Sequence, residues 1–387
     1  MFHFTTLPPL SLYVHIPWCV HKCPYCDFNS HEVKDAVPEQ AYIDALLADL
    51  EQELPAVWGR PVETVFIGGG TPSLFSPDAV DRLLSQLRAL LALPATAEIT
   101  LEANPGTLEA GRFAEFRATG INRLSIGIQS FDDAMLGRLG RIHDARQAIA
   151  AAETAHAAGF EEFNLDLMYG LPGQTVAQAL ADLEQAIALQ PTHLSHYQLT
   201  IEPNTRFAHT PPVLPDDDEI WEMQLTCQRR LAAAGFENYE VSAYARAGHR
   251  CRHNLNYWRF GDYLGIGAGA HGKLSSVQPQ RILRSAKLRH PKDYLAKAAG
   301  AGRIADEHVL NRREAGFEFM LNALRLNEGF PVALFAQHTG LPLSTVETPL
   351  QTAETRGLIG RDIHTIRPTA LGRRFLNDLT ALFLPGD

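Results

Sequence analysis

Three of the chain's five cysteines, Cys19, Cys23 and Cys26, stand within eight positions in "CVHKCPYC". Thiolates are nucleophiles and soft metal ligands, so this crowding raises metal chemistry first. Spacing i, i+4, i+7 would also put all three on one helical stripe, where cysteine packs as a small apolar side chain. Pro17 and Pro24 oppose a helix, since each lacks an N–H and biases its predecessor away from helical angles. A disulfide framework belongs to short secreted chains with even cysteine counts, whereas this chain has 387 residues and an odd count. Two readings stay open. A zinc site would draw a fourth ligand from His15, His21 or His31. An iron–sulfur cube would be held at three corners, leaving one iron open for chemistry.

Other residues suited to chemistry recur at the ends of β-rich runs. "GGGTP" (68–72) follows one such run, and its glycines let backbone N–H groups approach a ligand. Glu102 in "LEANP", Gln129 in "SIGIQSF" and Asp166 in "NLDLMYGLPG" hold comparable positions. Taken singly, each acid reads as a solvated charge and the glycines as a steric need. Their value lies in their common placement.

Six β-rich runs (11–16, 64–69, 98–104, 123–129, 163–170 and 193–200) alternate with helical patterns near 39–54, 77–92, 108–118, 144–158 and 174–189. A further helical pattern follows near 217–234. Ser76 is a good N-cap with Pro77 at the first helical position. "DDDEIWEMQLTCQRRLAAAG" sets three aspartates at the positive end of its dipole and Gly235 past its C-terminus. Six successive βα units predict a parallel sheet, doubly wound or curled into a barrel. Such folds carry their chemistry at the C-terminal strand ends.

The composition, 45% hydrophobic and 20% charged, is that of a globular protein with a sizeable core. No apolar run reaches the roughly 18–20 residues that span a bilayer. The first residues lack a basic segment followed by a long apolar one, so no secretory signal is expected. Free clustered thiols then predict a reducing cytoplasm. A net charge of −10 argues against a broad nucleic-acid footprint. Composition changes after about residue 300, giving expected domains 1–300 and 301–387. "AAGAGRIADEH" reads as a linker, and the remainder as helices, a short strand, a turn and a last helix, in winged-helix order. That segment carries 9 Arg and no Lys against 10 Asp plus Glu, which favours a lid or docking role over DNA binding.

The CxxxCxxC loop after the first strand resembles that of the radical S-adenosylmethionine (SAM) superfamily. "YVHIPWC", "GGGTP", "LEANP", "SIGIQSF" and "YGLPGQT" together are similar to its branch of oxygen-independent coproporphyrinogen III oxidases and their relatives, over most of the chain. The resemblance implies an α/β fold: a partial (β/α)6 TIM-like barrel with a small, mostly helical, winged-helix-like C-terminal domain. It implies that Cys19, Cys23 and Cys26 ligate a [4Fe–4S] cluster, that Tyr25 lies against the adenine of SAM, and that Tyr13 sits near the cluster and the methionine. Gly69, Gly70 and Thr71 would pair with the SAM amino group and neighbouring polar atoms. Glu102, Gln129, Arg141 and Asp166 match the remaining SAM contacts. The chemistry agrees, since an amino group wants a carboxylate or carbonyl and a carboxylate wants a guanidinium.

Two departures separate the chain from the oxidases. Their fourth cysteine, two residues after the third, is Phe28 here, and only a dozen residues precede the first strand. In exchange, "HNLNYW" (253–258) matches the HNxxYW signature of HemW-type haem chaperones. That resemblance implies a protein that binds haem and delivers it to apo-haemoproteins such as respiratory enzymes. His253 is the candidate haem contact, with Asn254, Tyr257 and Trp258 as a polar anchor and aromatic faces, and His249 or His271 next. The alternative is anaerobic oxidative decarboxylation of coproporphyrinogen III. Radical chemistry would need an electron donor such as flavodoxin or ferredoxin, and transient membrane association fits a haem carrier. Cys227 reads as core. Cys251, between Arg250 and Arg252, reads as an incidental thiol, with a lowered thiol pKa as the alternative.

Overall fold

The computed structural model describes residues 2–34, 36–106 and 111–385. Six strands form where the β-rich runs predicted them: β1 (Leu10–Ile16), β2 (Val62–Gly69), β3 (Glu98–Ala103), β4 (Arg123–Gln129), β5 (Glu162–Tyr169) and β6 (His193–Gln198). They pair in sequence order and in parallel, β1 with β2 through to β5 with β6. Leu10, Leu12, Val14 and Ile16 of β1 are all buried, as expected for a strand covered on both faces.

Helices return between the strands at Glu39–Val57, Pro77–Leu90, Phe113–Thr119, Ala145–Ala157 and Val176–Ala188, and Asp217–Ala233 follows β6. Their starts follow local chemistry. Ser76 Oγ accepts the Ala79 N–H, and Asp144, Thr175 and Asp216 each close a capping box three residues on. Part of the helix expected over 108–118, residues 108–110, lies outside the described residues.

The sheet extends further than six strands. β7 (Glu237–Asn238) and β8 (Ala243–Ala245) continue it antiparallel beyond β6. On the other side β9 (Asp262–Ile266) lies parallel to β1, with Leu12 opposite Leu264. Three antiparallel strands follow, β10 (His271–Val277), β11 (Gln280–Lys287) and β12 (Ile304–Val309). The order is β12-β11-β10-β9-β1-β2-β3-β4-β5-β6-β8-β7. The core is thus a parallel β/α unit of barrel type with antiparallel wings.

β12 corrects the linker expectation, because the second half of "AAGAGRIADEH" is an edge strand paired to β11. Its exposed Ala305, Asp306, Glu307 and His308 disguise it. Charged side chains are a usual guard on an unpaired sheet edge, and in sequence they read as loop.

Residues beyond Leu310 form a second core around Phe319, Phe335, Leu350, Ile366 and Leu379. A three-stranded sheet of Phe330–Pro331, Ile359–Arg361 and Thr365–Pro368 lies against helices Arg312–Ala323, Val332–Thr339 and Glu347–Thr355. Phe4, Phe260 and Ile282 join this core from the first 300 residues, so the two parts share packing.

Candidate functional site

The three thiols sit on the loop leaving β1. A parallel pairing of Trp18–Cys19 with His31–Glu32 closes the loop at its base, and Val33 N–H donates to Cys19 O at 2.9 Å. Cys26 N–H donates to Cys23 O at 3.1 Å, so the CPYC segment is a turn, not a helix. All three cysteines are free, Cys19 buried and the other two half-buried. No three of the described His, Cys, Asp and Glu side chains converge closely enough to hold one metal ion. Three thiols that share a cavity wall without meeting at a point suit a cluster in which each thiolate takes its own iron. Burial pushes the Cys19 and Cys26 thiols above their ordinary pKa.

The glycine turn after β2 docks backbone against backbone on this loop. Gly70 N–H donates to Ile16 O and Thr71 N–H to Trp18 O, both at 2.7 Å. A Cβ on Gly70 would lie 2.4 Å from Trp18 O, and Gly69 holds φ +117°, so this approach requires glycine.

Loop and turn cap a cavity of about 600 Å³ inside the strands. Every residue assigned to SAM by resemblance lines it: Tyr13 and Tyr25, then Gly69, Gly70 and Thr71, with Glu102, Gln129 and Asp166 from strands β3, β4 and β5 and Arg141 from the loop between the helices Asp133–Arg138 and Ala145–Ala157. Glu102 accepts the Gly69 N–H at 2.9 Å. Its pKa is pushed up to about 8 by burial, and the Asp166 charge adds to that. Burial raises Asp166 too, against hydrogen bonds from Asn164 and Ser125. Two recessed carboxyls of this kind favour a cationic ligand. Arg141 Nη2 donates to Asn104 Oδ1 and Gly127 O at 2.9 and 2.8 Å, and its Nη1 reaches Cys23 Sγ at 3.6 Å. Its buried Nε has no partner. The donor set fits a zwitterionic, cationic ligand next to a thiolate-held cluster.

Sequence reasoning missed Asn104, Ser125, Asn164, Ser195 and Tyr197, which line the same cavity. A signal existed. Ser125, Gly127 and Gln129 on β4 and Asn164 and Asp166 on β5 alternate with apolar residues, the period-2 mark of a polar lumen, and His193, Ser195 and Tyr197 on β6 keep the same spacing around Leu194 and His196.

"HNLNYW" lies at the opposite end of the lumen. It forms a short helix, Arg252–Trp258, under the N-terminal ends of the strands. The His253 N–H donates to Glu98 Oε1 at 2.9 Å, and Asn256 Nδ2 donates to Ser11 Oγ at 2.8 Å. His253, Asn254 and Tyr257 line the cavity that the cysteines line; Trp258 does not. His253 is buried, and that burial lowers its pKa to about 3, so the imidazole is neutral. Its Nε2 is buried without a hydrogen-bond partner. Trp258 turns outward beneath Arg325, whose guanidinium carbon is 4.2 Å from the ring centroid. His249 lines a separate cleft and contacts Glu162 Oε1 at 2.5 Å, while His271 is exposed. Cys227 is core, as expected. Burial, with Glu98 beside it, raises the Cys251 thiol to about 12, which overturns a lowered pKa there.

Comparison with known proteins agrees with this arrangement. The radical SAM superfamily pattern matches residues 13–186, and the HemN C-terminal domain pattern matches 310–375. The heme chaperone HemW of Escherichia coli is 51% identical over 98% of this chain and 99% of its own length. Its Haemophilus influenzae counterpart is 50% identical over 98% of each. The Bacillus subtilis heme chaperone HemW is 33% identical over 97% of this chain and 99% of its own. Among solved structures, the Escherichia coli coproporphyrinogen III oxidase HemN, a radical SAM enzyme, superposes with a TM-score of 0.82 at 25% identity, covering 97% of this chain and 90% of its own. With motifs, fold and near-full-length similarity in accord, this chain belongs to the HemW heme-chaperone family of the radical SAM superfamily.

Proposed function

We propose that this protein binds haem and hands it to apo-haemoproteins, and that it carries a [4Fe–4S] cluster on Cys19, Cys23 and Cys26 with SAM beside it. The observation that carries the reading is the two-ended lumen, with free thiols and a cation-seeking polar lining at one end and HNLNYW at the other. The relatives' heme-chaperone name supports the cargo. A bound cluster with SAM would supply one-electron chemistry. The chain's own residues bind and orient. Glu102 and Asp166 would meet the SAM amino group, Arg141 its carboxylate, and Tyr25 the adenine. His253 would meet the haem iron as a neutral imidazole, the protonation state that ligates metals. The module over 301–387 serves on this reading as a lid or docking surface, and an electron donor of the flavodoxin or ferredoxin class is needed only where SAM is cleaved. No helix among the described residues is long and apolar enough to cross a membrane.

The test is anaerobic reconstitution with iron and sulfide, then hemin titration followed by absorbance, then transfer to an apo-haemoprotein. The parent should bind hemin and pass it on, and His253→Ala should bind it more weakly while keeping its iron and sulfide. Parent-like hemin binding by His253→Ala would remove the assigned contact. The likeness to HemN supports a second reading, coproporphyrinogen oxidation, which anaerobic protoporphyrinogen formation would reveal.

A further inference from the structure

We propose that Thr64, backed by Ser11 and Asn256, is a positioning residue that holds His253 as its Nδ1–H tautomer, so that the Nε2 lone pair is what the site offers a porphyrin iron. The inference rests on the reading of His253 as the haem contact. Thr64 Oγ1 lies 2.7 Å from His253 Nδ1 and 2.8 Å from Ser11 Oγ. Ser11 Oγ also accepts from Asn256 Nδ2 at 2.8 Å. A hydroxyl has one proton to give. With the Thr64 proton directed at Ser11, its oxygen is left to accept, and the proton on that bond belongs to Nδ1. The neutral ring then carries no proton on Nε2.

The alternative tautomer is disfavoured. It would bury an Nε2–H with no acceptor, and an orphaned buried N–H is the rarer and costlier defect. The ring is also held on both sides. Phe66 stacks on it with centroids 5.0 Å apart, and Tyr257 meets it edge-on at the same distance. Ser11 lies near the start of β1, Thr64 near the start of β2, and Asn256 on the motif helix, so residues of three elements form the relay that ends at one nitrogen. A histidine that ligates a metal through one nitrogen and donates from the other is oriented and made more basic by that second bond.

The chemistry has a consequence for specificity. A fixed lone pair rewards a metal at the ring centre, so this contact favours iron porphyrin over a metal-free porphyrin of the same outline.

The experiment uses the full chain with hemin and, separately, metal-free protoporphyrin IX, each titrated against the parent, Thr64→Val, Thr64→Ser and His253→Ala. Thr64→Val should weaken hemin binding by about 10–100-fold, the usual cost of losing such a partner. It should also shift the Soret band and leave protoporphyrin IX binding as in the parent. Thr64→Ser, which keeps the hydroxyl, should restore both affinity and spectrum. If Thr64→Val matches the parent in affinity and spectrum while His253→Ala loses hemin, the positioning role is wrong and the haem reading stands. If His253→Ala also matches the parent, the ligand assignment itself is wrong and the positioning role falls with it. Should Thr64→Val fail to fold, Ser11→Ala tests the same relay one bond further out. A folded Ser11→Ala with parental hemin affinity and Soret position would overturn the proposal.

Discussion

Glu102 on β3 and Asp166 on β5 face one cavity across β4, and the Asp166 charge helps to keep a proton on Glu102. Glu102 takes the Gly69 N–H and Asp166 takes Asn164 and Ser125, and none of these partners is a cation. Burial first, and then the Asp166 charge, lifts Glu102 to about 8. The folded ligand-free protein therefore keeps a proton that the unfolded chain releases above its ordinary 4.5. Stability from this group is full below about pH 4.5 and is lost as pH rises through about 8. Glu102→Gln should flatten that slope and leave the ligand-free protein more stable than the parent at pH 9, on the order of 1–3 kcal/mol after lumen water is allowed for. On the proposed reading the same change should weaken SAM by at least about tenfold, since the side chain would no longer offer a carboxylate to the SAM ammonium. Urea unfolding at pH 6 and pH 9 with SAM titration checks both. An unchanged pH slope would remove Glu102 as the proton holder.

Cys19→Ala, Cys23→Ala and Cys26→Ala should each lose iron and sulfide after anaerobic reconstitution, and with them the broad thiolate–iron absorption. Secondary structure should persist, because the loop is tied down by backbone bonds at Cys19 O, Pro17 O and Trp18 O that an alanine keeps. Equal metal loading in all three variants would return the site to the readings that spacing alone left open. Zinc in place of iron and sulfide in the parent would do so too.

Much of the site could be read before any coordinates because its charged and glycine residues stand at strand ends inside short motifs. Gly69 and Gln129 close β-rich runs, Glu102 and Asp166 stand inside them, and Cys19 follows one by three residues, so the runs fix their placement. Uncharged lining residues escaped. Ser125, Asn164 and Ser195 carry no motif, and only their alternation with apolar neighbours marks them. The placement of HNLNYW escaped as well. Nothing local says that a seven-residue helix folds under the barrel, because its partners Ser11, Thr64 and Glu98 are 155 or more positions away. β9 and β12 were hidden for related reasons. One is a five-residue strand between the motif helix and a glycine turn, and the other is a charged edge.

His253 is neutral well below physiological pH, since burial lowers it to about 3. Hemin affinity of the parent should therefore show no loss from imidazole protonation between pH 6 and 8. An ordinary exposed histidine, titrating near 6.5, would lose ligating imidazole as pH fell through that range. Hemin titrations at pH 6, 7 and 8 check this. A steep fall in affinity towards pH 6 that His253→Ala abolishes would mean the ring is solvated when it binds.

Arg325 joins the C-terminal part to the HNLNYW helix, and its loss should loosen both. Its guanidinium lies over Trp258, and Nη2 donates to Glu240 Oε2 at 3.0 Å. The Glu240 side chain is only 4% exposed, so removing Arg325 leaves a recessed carboxylate without its cation. Neighbouring bonds mark the same seam. Asn327 N–H donates to Tyr239 O at 3.0 Å, and Arg250 pairs with Glu328 at 2.6 Å. Breaking a buried ion pair costs roughly 3–5 kcal/mol, and Arg325 is half-buried, so Arg325→Ala should cost about 2–4 kcal/mol with the stacking loss included. Arg325→Lys should fall between, because it keeps the charge and loses the flat stack. Urea midpoints give the stability order, and hydrogen exchange should rise in 237–245 and 252–258 ahead of the strands. Faster hemin release should accompany that rise, since the helix bearing His253 is held from outside through Trp258. A variant with the parental midpoint and parental exchange in 252–258 would show that Phe260 and Phe319, 5.9 Å apart between ring centroids, hold the seam without Arg325.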